Sequence, residues 1–132
     1  MTDTGPYLGT TTYVHLGPNG TALPLPVTPT FWEDLDASVL PQGEGRLVSS
    51  YHFPASWDSW EKHPAGEELV LLLSGAMELI LDTGAQEARY ALTNPGEFVI
   101  VPRDTWHTAD VPAGATALFI TPGDGTENRP RR

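Results

Sequence analysis

From position 45 onward the hydrophobic and polar pattern is that of β-strands throughout, in short apolar or alternating runs broken by turn signals. The segment 46–53 (RLVSSYHF) is rich in β-forming residues and ends at Pro54. The run 68–74 (ELVLLLS) reads as a buried strand, and Gly75 turns it into 76–82, where Glu78 faces away from Met77, Leu79 and Leu81. Further strands are expected over 86–92, 97–102, 106–111 and 116–121, separated by turn signals at Asp82-Thr83-Gly84 and Asn94-Pro95-Gly96. Short strands at regular spacing with almost no helix predict an all-β antiparallel sandwich or barrel. The one helical signal is 31–37, with Thr30 as its N-cap and acidic residues in the first turn.

The first thirty residues depart from this pattern. Pro24, Pro26 and Pro29 rule out a helix and disfavour a central strand. The segment 11–16 is expected as an edge strand, and the rest of 1–30 as an extended Pro-rich arm wrapping the domain or a partner subunit. The reading is therefore an arm over 1–30, one β domain over 31–123 and a disordered basic tail over 124–132.

Length and composition narrow the chemistry. A chain of 132 residues fits one domain with its own core. It contains no cysteine, which excludes thiolate metal sites, disulfides and cysteine nucleophiles. That is compatible with a reducing cytoplasm, the expected location, and no signal peptide is read at the start. The longest apolar run, 69–73, is too short to span a bilayer. The net charge is −10, with three of the seven basic residues in the last four positions. An acidic body repels nucleic acid and anionic membranes, so neither is expected as a partner. No nucleophile elbow, zinc-protease helix, phosphate loop or dinucleotide fingerprint is present.

The candidate chemistry lies in two short segments. In the first, Glu61 and His63 are two apart on a strand and share a face, and Glu68 follows after a Pro64-Ala65-Gly66 turn. In the second, His107 follows a turn at Pro102 to Asp104. Two hairpin strands and a distant strand converge naturally inside a small barrel, where inward residues alternate with outward ones. Taken singly, His63 and His107 read equally as core histidines bonded to carboxylates. Glu67 has the wrong parity for a ligand. Trp60 and Trp106 have opposite parity to the neighbouring candidates and read as packing, whereas Trp57 could cover the mouth and stack on a ligand. Tyr51 and His52 point to opposite faces, and an inward Tyr51 would be a hydrogen-bond donor or acid in the substrate pocket.

The two segments together resemble the paired motifs of the cupin superfamily. The first motif of that family runs Gly, five residues, His-x-His, three or four residues, Glu, six residues, Gly. Here Glu61-x-His63, four residues, Glu68, six residues, Gly75 matches it, with Glu61 in place of the first histidine. The second motif runs Gly, five residues, Pro-x-Gly, two residues, His, three residues, Asn. Here Gly96, Pro102-x-Asp104 and His107 match it, with Asp104 in place of glycine and Val111 in place of asparagine. The surrounding strand pattern extends the likeness over 45–121.

The resemblance implies a single jelly-roll β-barrel, a homodimer formed by strand exchange or arm wrapping, and one divalent metal held by Glu61, His63, Glu68 and His107. Two histidines and two carboxylates would favour Fe, Mn or Zn. The implied activity is metal-dependent chemistry on a small organic molecule, dioxygenase-like or isomerase-like, with Glu61 as a fourth ligand or a general base. The alternatives are a non-catalytic ligand-binding or sensory cupin, and a degenerate barrel without metal.

Overall fold

The structure is a computed structural model that describes residues 4–37, 40 and 44–131 of the chain. Residues 1–3 of the expected arm and residue 132 of the expected tail lie outside the described residues. Among the described residues, eleven strands form two facing sheets, and one short α-helix packs beside them. They are β1 (Thr12–Leu16), β2 (Ala22–Pro26), α1 (Phe31–Asp36), β3 (Arg46–Phe53), β4 (Ser59–Lys62) and β5 (Glu68–Gly75). Then come β6 (Met77–Asp82), β7 (Glu87–Leu92), β8 (Phe98–Val101), β9 (His107–Asp110), β10 (Ala115–Thr121) and β11 (Glu127–Pro130). One sheet runs β2-β1-β3-β10-β5-β8 and the other β11-β4-β9-β6-β7, and all their pairings are antiparallel.

The expected closed barrel is corrected to two open sheets, a jelly-roll-like sandwich. Consecutive strands β5 and β6 belong to different sheets, so the chain crosses between layers at Gly75 without a connecting ladder. Gly75 has a φ of 77°, and a Cβ there would collide with the carbonyl oxygen of Gly114. Only glycine fits that corner.

Alternation builds the core. Val70 and Leu72 of β5, Ala117 and Phe119 of β10, and Leu79 and Leu81 of β6 all point between the sheets and are buried there. A second cluster forms where α1 packs Phe31 and Leu35 onto Tyr13, Leu25 and Leu47. Phe31 meets Tyr13 edge-on at 5.1 Å, the favoured geometry for such a pair. Thr30 does stand at the N-cap of α1, but its hydroxyl donates to Asp34 Oδ2 at 3.0 Å rather than capping a backbone N–H.

Both chain ends differ from expectation. Strand β1 is not an edge strand: β2 pairs outside it, within the segment read as an extended arm. Pro24 and Pro26 are tolerated in β2 because an outermost strand need not donate on its open side. The tail expected to be disordered forms β11, which pairs with β4. Its arginines supply the reason. Arg129 reaches Asp82 Oδ2 at 3.0 Å and stacks over Trp60 and Trp106, and Arg131 reaches Asp110 Oδ1 at 2.9 Å. Among the described residues, no helix is long and apolar enough to cross a membrane.

Candidate metal centre

Four side chains from three strands and one loop meet between the two sheets. Glu61 lies on β4 directly opposite His107 of β9 in the ladder. His63 follows β4 by one residue, and Glu68 opens β5 in the facing sheet. The backbone holds the loop ends together, with the Asp104 N–H donating to the His63 carbonyl at 3.0 Å. Asp104 has a φ of 60°, a left-handed conformation that aspartate tolerates better than most side chains. This accounts for the glycine usual at that motif position and for the tolerance of aspartate there.

His63, Glu68 and His107 are almost wholly buried, at 4%, 3% and 0% exposure. The Glu61 side chain is 36% exposed, so it alone links the cluster to solvent. Each histidine is anchored through Nδ1, leaving Nε2 inward. His63 Nδ1 lies 2.9 Å from Thr126 Oγ1, and His107 Nδ1 lies 3.0 Å from the Thr105 carbonyl. The Thr121 hydroxyl donates to Glu68 Oε2 at 2.6 Å. These outer partners fix ring orientation and ligand direction in the way metal sites require.

The inner atoms converge. Glu68 Oε1 is 3.0 Å from His107 Nε2, Glu68 Oε2 is 3.3 Å from His63 Nε2, and Glu61 Oε2 is 3.5 Å from His63 Nε2. One donor atom each of Glu61, His63 and His107 lie within 4.8 Å of one another. The short His–Glu68 separations lack hydrogen-bond angles: both Nε2 atoms and Glu68 Oε1 are buried with no hydrogen-bond partner. Buried polar atoms are almost always paired, so three orphans around one point leave a cluster that could hold a shared cation. The set of two imidazoles and two carboxylates fits a borderline divalent transition metal.

Electrostatics agree with that geometry. Burial alone would lower the His63 pKa, but the Glu61 and Glu68 carboxylates outweigh it and lift the imidazole to about 9. Burial would raise the Glu68 pKa, but His107 and His63 hold the carboxyl at about 2. Without a cation, a proton on His63 offsets one of the two carboxylate charges.

A cavity of about 730 Å³ opens beside Glu61, His63 and Glu68. Trp57 and Tyr51 both line it, together with Trp32, Phe53 and Phe119. The Trp57 indole meets the His107 ring edge-on at 6.2 Å between centroids. Of the two opposite-facing residues it is Tyr51 that points inward, with His52 outward on Thr116 Oγ1 at 3.0 Å. The Tyr51 hydroxyl is engaged with Tyr13 and its pKa is pushed far up, by burial first and Tyr13 second. It is a wall of the pocket rather than an acid. Glu67 is exposed, and Trp60 and Trp106 form the outer support beneath Arg129. Thr121 is legible in hindsight, because it continues the inward parity of Ala117 and Phe119. Thr126 carries no sequence signal for its role. Trp32 lines the cavity from α1, a helix to which the sequence reading gave no part in the site.

No protein-family model matches the chain, and no curated protein matches it in sequence. Solved structures do match. A cupin superfamily protein from Desulfitobacterium hafniense is 24% identical, with a TM-score of 0.51, over 64% of this chain and 73% of that one. The chain has a cupin-type fold. An oxalate decarboxylase from Bacillus subtilis with Mn(II) centres shares this cupin-type fold at 14% identity and a TM-score of 0.51, over 66% of this chain and 23% of that one. A hydroxypropylphosphonic acid epoxidase from S. wedmorenis aligns at 13% identity and a TM-score of 0.49, over 58% of this chain and 43% of its own. This chain thus spans less than half the length of either enzyme.

Proposed function

We propose that the protein holds one divalent transition metal, Fe, Mn or Zn, on His63, Glu68 and His107, with Glu61 at the fourth position, and acts on a small organic molecule bound in the adjoining cavity. The observation that carries this reading is the convergence of three buried, unpartnered donor atoms whose ligands are fixed from outside by Thr126, Thr105 and Thr121. The bound metal would supply Lewis acidity, or an oxygen-binding centre, for chemistry of the dioxygenase or isomerase kind.

The protein's own groups define the rest. Glu61, half in solvent and opposite His107, is the group placed to accept a proton from a ligand entering the cavity. The aromatic wall of Trp32, Tyr51, Phe53, Trp57 and Phe119 excludes water from the ligand's apolar part. Glu68, buried between both histidines, is confined to holding the centre. The test is metal analysis of protein loaded anaerobically with Fe(II), or with Mn(II) or Zn(II). Near one metal per chain is expected, lost in His63→Ala and His107→Ala, with no stoichiometric binding to the native chain as the overturning result.

A further inference from the structure

We propose that the molecule taken by the cavity is an organic cation, an amine or quaternary ammonium group on an apolar body. The inference deepens the reading of the cavity as the substrate site and rests on it. Four carboxylates line the cavity, those of Asp36, Asp58, Glu61 and Glu68, against one guanidinium, that of Arg46, and no lysine. A dication at the metal centre would compensate Glu61 and Glu68. Asp36 and Asp58 would still outnumber Arg46, and none of these three enters an ion pair among the described residues. The space is therefore negative toward anything that enters it, and its apolar walls focus that field.

The walls point the same way. Ring contacts run without a gap from α1 to the metal centre. Trp32 stacks on Tyr51 at 6.1 Å, Tyr51 stacks on Phe53 at 5.7 Å, and Phe53 meets Trp57 at 5.4 Å. Trp57 then reaches His107. Phe31 and Leu35 carry the packing of α1 on the core, at 1% and 8% exposure, whereas Trp32 keeps 45% of its surface exposed and lines the cavity. Asp36 stands one helical turn after Trp32, on the same side of α1, and lines the cavity too. A ring face and a carboxylate side by side both attract a cation, since the face of an aromatic ring carries the negative part of its quadrupole. At the deep end, His63 Nε2 and Glu68 Oε1 are buried without partners, so the cavity leads to groups that still need one.

Other ligand classes use less of what is there. An anion has the guanidinium of Arg46 alone to meet it, on an exposed residue at the start of β3. An uncharged aromatic molecule uses the rings and leaves Asp36 and Asp58 without a role. A cation on an apolar body uses both, and the cavity of about 730 Å³ lies within the ordinary range for small-molecule sites. Charge complementarity of this kind selects among ligands of equal size and shape.

Calorimetric titration of the full chain, both chelator-treated and loaded with Zn(II), tests this with three probes of similar size. Benzyltrimethylammonium is the cation and has no lone pair to give a metal. Phenethyl alcohol is the neutral probe and phenylacetate the anion. The cation is expected to bind about 10-fold tighter than the alcohol in both states, with phenylacetate the weakest of the three on chelator-treated protein. Trp32→Leu keeps the apolar area but removes a ring face, and should weaken the cation by roughly 5-fold while sparing the alcohol. Asp36→Asn, at an exposed residue, keeps the test open should the tryptophan variant fail to fold. It should weaken the cation by about 2–5-fold, and Arg46→Gln should strengthen it by a similar factor. Equal affinity for cation and alcohol, tightest binding of phenylacetate with loss in Arg46→Gln, or no binding of the cation would each overturn the inference. Metal content is read on the same samples. A chain that prefers the cation but holds no Zn(II) refutes the metal reading alone, and one that holds Zn(II) without that preference refutes this inference alone.

Discussion

Glu61 and His107 stand opposite each other across the β4–β9 ladder, so the carboxylate is held on a paired strand rather than on a loose loop. In the proposed centre it is a ligand position, and substitution there separates charge from coordination. Glu61→His is expected to retain one metal per chain. Glu61→Gln should retain metal with weaker affinity and lose any proton transfer in which Glu61 is the base. Glu68→Gln, at a carboxylate bridging both histidines, should lower metal affinity by roughly 10–100-fold or more. Calorimetric titration with Mn(II) and metal analysis read all three, and equal losses for Glu61→Gln and Glu68→Gln would count against the different roles assigned to them.

The pH dependence of the metal-free protein follows from the two shifted groups. The folded-state value of His63, about 9, lies above its ordinary 6.5. Its contribution to stability is fully present below pH 6.5 and is lost as pH rises through about 9. The value of Glu68, about 2, lies below its ordinary 4.5, so its contribution is present above 4.5 and lost as pH falls through about 2. Chelator-treated protein should therefore be most stable between about pH 4.5 and 6.5. Metal-loaded protein should behave oppositely on the alkaline side, since a ligand histidine must shed its proton and metal affinity climbs toward pH 9. Melting temperature against pH, with and without chelator, shows whether the two curves diverge above pH 6.5.

Thr126 and Thr121 give a test of the supporting shell. Thr126→Val removes the partner of His63 Nδ1, and Thr121→Val removes the donor to Glu68 Oε2. Each should cut metal affinity by about 10-fold or more. In the metal-free protein Thr126→Val should cost on the order of 1 kcal/mol, and Thr121→Val somewhat more because its acceptor is charged. Urea unfolding of chelated protein, set beside metal titration, separates the two effects. A stability loss with unchanged metal affinity would make these threonines structural only.

The sequence carries the sandwich and the inner site clearly, because both depend on parity and local spacing. β-forming composition ending at Pro54 and a buried apolar run ending at Gly75 located β3 and β5 to within a residue, and the Glu61–His63–Glu68 spacing put those three side chains in one space. What escaped depends on distant partners. Nothing local marks Glu127–Pro130 as a strand, because what holds it is Arg129 on Asp82 and the Trp60–Trp106 pair, more than twenty residues away. Strand β2 was hidden by its prolines, whose missing donors matter only on the paired side of a strand. Closure of the barrel was also beyond reach, since alternation specifies faces but not whether two sheets share a ladder.

The last expectation concerns the two motif positions that hold the backbone. Gly75 and Asp104 both have positive φ, but they differ in surroundings. At Gly75 a Cβ would collide with the Gly114 carbonyl and the Ala115 Cα, and both are backbone atoms that cannot rotate away. Gly75→Ala should therefore destabilise by about 1–3 kcal/mol from strain, with more added by the clash. Asp104 already carries a Cβ, so space is not limiting there. Asp104→Gly relieves the left-handed penalty and gives up an exposed 3.6 Å contact with Lys62, a pair of small value. Its net effect should be stabilising by a few tenths of a kcal/mol, whereas Asp104→Val, with a β-branched side chain at φ 60°, should cost about 1–2 kcal/mol. Because the Asp104 N–H holds the His63 carbonyl, Asp104→Val should also weaken metal binding while Asp104→Gly leaves it unchanged. Thermal unfolding and metal titration on the same three variants check the order, and a stable Gly75→Ala protein would show that the corner between the sheets is differently built.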